Sequence, residues 1–427
     1  MMRSVFGTIL CLVASGVADG GDWPGWRGGP RGDGLSDEKN IPIRIEPQTL
    51  RWKVPIPGRG HSSPIVFGNR VILTTCIEDA TPARRELIML DRHDGRIVWR
   101  KTVIEARPEA LHRLNSRASG TPATDGKRIF VSFLDQSPPS GPPSGKREAD
   151  PGELVVAAFD FNGNRLWEKR PGPFRSVHGF CTCPVLYQDK LIINGDHDGD
   201  AFLAMMRQED GAIVWKVKRK NRLRSYCTPI VAAIGGRDQL LLSGGKTTAA
   251  YECSTGEMIW TCDGPSEQMV ATLLRGHGMI YSLGGYPERH LLAIAEDGKG
   301  DVTKSHVKWK SSSAIPYVPS ALLDGDLLHV VSDEGVYTCF DAKSGKVHGR
   351  KRISSHVSAS LVAAEGAVYI LDDKGALVVI ASEPKYRELA KSELGEDAFA
   401  TPAIAHGCLF IRGEKHLFCL GAKLSGN

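Results

Sequence analysis

An all-β fold, a β-propeller of eight four-stranded blades closed by a strand from the N-terminal end of the chain, is predicted by three observations in the 427-residue sequence. A short strand ending in tryptophan four residues after a glycine recurs along the chain. Apolar first strands open at matching Ser/Thr/Cys-Pro or related steps. The last repeat stops one strand short, while a spare strand stands ahead of the first complete one.

The tryptophan repeat reads GRIVW (95–99), GNRLW (163–167), GAIVW (211–215) and GEMIW (256–260). After a longer first interval, which contains an insertion, the tryptophans lie roughly 45 to 50 residues apart, near the length of a four-stranded blade. Trp52 in LRWKV (50–54) and Trp309 in VKWK (307–310) extend the series, and Gly349 and about Leu389 continue it in degenerate form. Asp94-Gly95, Asn162-Gly163, Asp210-Gly211, Thr255-Gly256 and Ser344-Gly345 supply hairpin residues suited to positive φ. Helix-period apolar stripes are nearly absent. Each tryptophan therefore reads as filler between neighbouring blades, not as chemistry.

First strands open at SSP (62–64), GTP (120–122), TCP (182–184), CTP (227–229) and ATP (400–402), which starts blades near 61, 119, 180, 226, 269, 317, 357 and 399. The eighth unit ends at Cys419 after three strands, and residues 49–54 supply its fourth. Such closure removes the open sheet edges that invite aggregation.

Residues 1–20 read as a secretory signal: Arg3, an apolar run from Val5 to Val13, and small residues from Ala14 to Ala18, with cleavage expected after Ala18. Residues 21–48 form an N-terminal extension, 49–421 the propeller and 422–427 a tail. No later stretch is apolar and long enough to cross a bilayer, so a mature chain without a transmembrane segment is expected in the periplasm or outside the cell. A net charge of +5 is too mild for a nucleic-acid footprint, and a nucleic-acid partner is set aside. Nine cysteines follow the signal, an odd number, with no Cys-x-x-Cys pair.

In a four-stranded meander, the loop entering each inner strand and the loop between second and third strands lie on one face. That parity gathers His61, Arg117, His178, Asp196, His197, Asp198, Arg224 and Tyr226 at one mouth of the channel, the default ligand site of the fold. In DHDGD (196–200), Asp196, Asp198 and Asp200 alternate as calcium ligands can, although the other ligands of a full calcium loop are missing. The basic run KVKRKNRLR (216–224) reads as a solvated rim or a surface for acidic polysaccharide or anionic lipid. The insertion 136–152, rich in Pro and Gly, is expected to be a mobile loop on the same face. In CLFIRGEKHLFC (408–419), a two-residue turn at Gly413-Glu414 sets Cys408 opposite Cys419, within reach of a disulfide.

Trp-ending blades, an exported chain of this length and a mature start reading DWPGWRGGPRGDG (22–34) resemble the pyrroloquinoline-quinone-like repeat propellers, more narrowly their exported planctomycete-type members. The resemblance covers nearly all of the mature chain. It implies the propeller, and it implies either a quinoprotein dehydrogenase or a non-enzymatic propeller like the one in the outer-membrane β-barrel assembly machinery. The dehydrogenases hold their quinone with adjacent cysteines, a Trp floor and calcium. Here Cys181 and Cys183 straddle Thr182, so no catalytic residue carries over.

The leading expectation is a non-catalytic exported binding or scaffold protein with no required cofactor, whose partner is either a protein or a carbohydrate. A dehydrogenase using the quinone (PQQ) and calcium is the first alternative. A carbohydrate-binding or carbohydrate-active propeller is the second.

Overall fold

The computed structural model describes residues 21–79, 81–136, 152–220 and 222–422. The signal segment, nearly all of the 136–152 insertion and the tail beyond residue 422 lie outside the described residues. Eight sheets form the ring, each an antiparallel meander of four consecutive strands apart from the last. The first is typical, running from Ile65–Phe67 at the channel through Arg70–Ile77 and Ala83–Asp91 to Ile97–Ala106 at the rim. Middle strands are buried on both faces because neighbouring blades pack on either side, which is why they read as near-continuous apolar runs.

The ring closes as expected. Leu50–Pro55 pairs antiparallel with His416–Gly421 as the outer strand of the last sheet, with Trp52 opposite Cys419.

The glycine–tryptophan repeat is a joint between blades. Trp52, Trp99, Trp167, Trp215 and Trp309 each donate from Nε1 to a carbonyl of the following blade, at Arg92, Phe161, Gln208, Cys253 and Ala342. The turn glycine of that following blade sits against the same ring. At Gly211, φ is +71° and an added Cβ would lie 2.7 Å from Cε3 of Trp167. Both constraints demand glycine. Trp260 is the exception, with its Nε1 buried and unpartnered among the described residues. Beside it Gly300–Asp301 adds a short parallel strand to the outer edge of that blade.

Two expectations need correction. In the seventh blade the residue at the tryptophan position is Ala390, opposite Val379, and not Leu389. A bulge between Val379 and Ile380 absorbs one residue in the outer strand, the same irregularity that precedes Trp215. Ile41, Ile43 and Ile45 of the N-terminal extension pack into the cluster around this alanine.

The last hairpin is also displaced. Cys408 lies opposite Gly421, and Cys419 opposite Phe410, so the loop has four residues, 413–416. The reason is Glu396, whose carboxylate accepts the N–H groups of Lys415 and His416 at 2.9 Å and bonds the His416 ring at 2.6 Å. That carboxylate occupies the space a tight turn at Gly413 needs. Cys408 and Cys419 are buried free thiols that lie diagonally across the two strands.

Candidate functional site

The site is built on the two residues that precede each inner strand. Backbone alternation sends one side chain to the channel and the next into the blade interface. At the step marked by Thr121, Cys183, Ser320, Ser360 and Thr401, the side chain accepts a hydrogen bond from the preceding blade. Ser63 N–H donates to Thr121 Oγ1 (3.0 Å), Thr121 N–H to Cys183 Sγ (3.3 Å), Ser320 N–H to Ser360 Oγ (2.9 Å) and Ser360 N–H to Thr401 Oγ1 (2.9 Å). The Ser/Thr/Cys-Pro signature in the sequence is this belt.

Above the belt lies a cavity of about 450 Å³. Tyr226, Tyr286, Tyr317 and Phe399 give it aromatic walls, and His61, His112 and His178 stand among them. Its floor is Trp26 of the N-terminal extension, whose Nε1 donates to Thr272 Oγ1 at 2.8 Å. The extension enters the channel from the face opposite the mouth. Trp23 pairs with Val66 of the first blade, Pro24 C=O accepts Thr124 N–H of the second, and Gly34 C=O accepts Ala363 N–H of the seventh. Arg27, fully buried, donates to the carbonyls of Gly32, Asp33, Ala321 and Leu361. The DWPGWRGGPRGDG segment is thus a plug that turns the channel into a blind pocket.

The charged groups at this mouth are engaged. His61 Nε2 bonds Glu414 Oε1 at 2.9 Å, and its ring lies 4.8 Å from that of Phe399. Burial holds the His61 pKa below the ordinary histidine value in spite of that carboxylate. Glu414 is held below the usual carboxylate range, first by the His61 hydrogen bond. His178 is also lowered, by burial and then by Arg224. Asp333 accepts the N–H groups of Tyr317 and Val318, yet burial leaves its pKa raised. Among the described residues, no lysine or arginine lines the cavity.

Of the residues selected by parity, His61, His178 and Tyr226 line the cavity together. Arg117 sits on the same face but outside it, paired with Glu78 at 2.8 Å. His197 lies buried beside Phe174, its Nδ1 accepting Arg175 N–H. The three aspartates of DHDGD are not brought together. Asp196 is fully buried in a fork with Arg219 (2.9 and 3.1 Å), Asp198 pairs with Arg224, and Asp200 pairs with Arg222 at 2.9 Å in solvent. The acidic loop therefore neutralises the three arginines of the basic run, one carboxylate to one arginine. For Arg219, burial opposes the charge, but Asp196 and the Tyr251 hydroxyl override it and raise the pKa. Lys216 is likewise taken, donating to Pro171 C=O at 2.6 Å. Among the described residues, no group of three or more His, Cys, Asp or Glu side chains is gathered as a metal site.

Trp26, Phe399 and Gln268 are cavity residues that sequence reasoning missed. For Phe399 the signal was present, because it precedes Thr401 as His61 precedes Ser63. Trp26 had none.

A ring of eight sheets with a plugged channel and a mouth built on repeat-encoded entry loops defines an eight-bladed repeat propeller. The sequence matches the family described as outer membrane protein assembly factor BamB over residues 41–170, 148–275 and 287–385, and the chain belongs to that family. Among solved structures it is similar to BamB from Moraxella catarrhalis, with 13% identity and a TM-score of 0.60, covering 87% of this chain and 99% of that one. It is also similar to the quinohemoprotein alcohol dehydrogenase from Comamonas testosteroni, with 10% identity and a TM-score of 0.68, covering 97% of this chain and 82% of that one. At such identities the likeness is one of fold alone. No protein of curated function matches the sequence.

Proposed function

We propose that this chain is an exported, non-catalytic binding or scaffold propeller that works through the channel mouth. The observation that carries the reading is a preformed, aromatic-walled cavity whose carboxylate, Asp333, and whose His61 are already committed to bonds within the protein. His61 is tied to Glu414, Asp333 to two backbone N–H groups, and Asp196 and Asp198 to arginines. His178 keeps a free imidazole, but a nucleophile needs such a base beside it, and among the described residues no hydroxyl or thiol is hydrogen-bonded to the His178 ring. The family's description as an assembly factor favours a protein partner over a carbohydrate.

The rival reading is a quinone-dependent dehydrogenase, suggested by the Comamonas likeness. Pyrroloquinoline quinone is a tricarboxylate and fits this cavity poorly. Among the described residues no lysine or arginine lines the wall to meet its charges, and the nearby carboxylates are occupied as acceptors. Cys181 and Cys183 both line the cavity, but the Cys183 sulfur belongs to the belt between blades. Incubation of the purified chain with the quinone and calcium, followed by an alcohol- or sugar-dependent dye-reduction assay, tests the proposal. Background rates are expected. Saturable turnover would overturn it.

A further inference from the structure

The mouth is a cavity of drug-sized volume, and its wall chemistry is selective. Each ring in it is fixed by its polar end or by a neighbour. Trp26 is anchored to Thr272, the Tyr226 hydroxyl to Ser176 (2.7 Å), the Tyr317 hydroxyl to Gln268 (3.0 Å), and Phe399 against His61. The apolar faces are therefore preorganised, and they would stack on a flat ligand without first being ordered.

Charge decides what else fits. Among the described residues no lysine or arginine lines the wall, so an anion entering this space would shed water with no cation there to replace it. A cation would find Asp333 as the one carboxylate on the wall, with both oxygens accepting backbone N–H groups and Arg289 3.6 Å away. Hydrogen-bonding capacity is nevertheless left over. The His178 ring makes no hydrogen bond among the described residues, and a neutral imidazole offers one donor and one acceptor.

From this arrangement we infer that the mouth cavity binds an uncharged, ring-bearing small molecule, held by stacking and by a hydrogen bond to His178, and discriminates against anions. The inference rests on the mouth being the binding surface, as proposed above.

The test uses two probes that share a ring system and differ in charge, N-phenylnaphthylamine and anilinonaphthalene sulfonate, titrated into the full chain by fluorescence. The uncharged probe should saturate at one per chain, with the sulfonate weaker by at least about tenfold. Val270→Trp, which fills the cavity, should abolish the uncharged probe's signal. His112→Arg, at the exposed edge, should strengthen the sulfonate by at least about tenfold. Both variants sit at side chains outside the blade interfaces, and circular dichroism confirms their folding. Equal or tighter binding of the sulfonate to the parent overturns the selectivity while leaving the mouth as a binding surface. No saturable signal from either probe, or a signal that Val270→Trp does not change, overturns the inference outright. The dye-reduction assay judges the non-catalytic reading separately.

Discussion

Replacing Gly211 with alanine attacks the joint between the second and third blades at two points. The residue has φ +71°, where a side chain costs about 1–2 kcal/mol. The new Cβ would also stand 2.7 Å from Trp167 Cε3, and relieving that overlap costs about 1–3 kcal/mol more. Trp167→Ala removes a side chain that is 8% exposed and its bond to Gln208 C=O, a loss of about 3–5 kcal/mol. With the ring gone its overlap vanishes, while the contact with Lys169 Cγ at 2.7 Å and the φ penalty stay. The double variant should therefore be less destabilised than the two single losses together by about 1–3 kcal/mol. Gly325→Ala is the control: its φ is +57° and nothing lies within 4 Å of an added Cβ, so only the backbone penalty applies. Equilibrium urea unfolding of the parent and four variants gives the values. Losses for Gly211 and Trp167 that add within about 0.5 kcal/mol would refute the account of the repeat as a ring-on-glycine joint.

Acid should weaken the fold through His329. It is buried, bonded to the Tyr337 hydroxyl (2.8 Å) and Ser382 Oγ (3.0 Å), and burial lowers its pKa from 6.5 to about 4. Protons then prefer the unfolded chain, so its contribution is whole above pH 6.5 and declines as pH falls toward 4. The loss is on the order of 3 kcal/mol at most. Urea unfolding at neutral and acid pH should show a shallower decline in His329→Gln, and an unchanged slope would remove this residue from the account. The two ends of DHDGD should behave differently: Asp196→Ala strands the buried Arg219 and should cost about 3–5 kcal/mol. Asp200→Ala breaks an exposed pair and should cost under about 1 kcal/mol. Similar losses for the two in calorimetry or urea would contradict the pairing described here.

The ring itself was legible because each blade repeats the same local chemistry, a hairpin glycine, a tryptophan and an apolar inner strand. Residues 49–54 could be matched to the last blade since they carry the outer-strand pattern without the three strands before it. Parity then put His61, His178 and Tyr226 on one face. What stayed hidden depends on contacts with no local pattern. Trp26 meets Thr272 and Arg27 meets Leu361 across the channel, and nothing near residue 26 foretells either. The hairpin at Gly413 reads as a tight turn until Glu396, from the connection before it, occupies the turn. Leu389 was one residue off because a bulge breaks the simple count. The acidic loop and the basic run each looked like a surface for an outside partner, and only their spatial pairing reveals that they serve each other.

If the mouth is an open cavity reaching down to the belt of entry residues, a count of reactive thiols in the folded chain will show it. Of the nine described cysteines, eight are buried and Cys181 alone is partly exposed, on the cavity wall. The folded chain is treated with dithiodipyridine, an uncharged reagent, and the released thiopyridone is followed over time. One thiol per chain should react ahead of the rest, peptide mapping should place it at Cys181, and Val270→Trp should slow it. Reaction at one of the buried cysteines first, no reaction before unfolding, or a rate that Val270→Trp leaves unchanged would contradict the account.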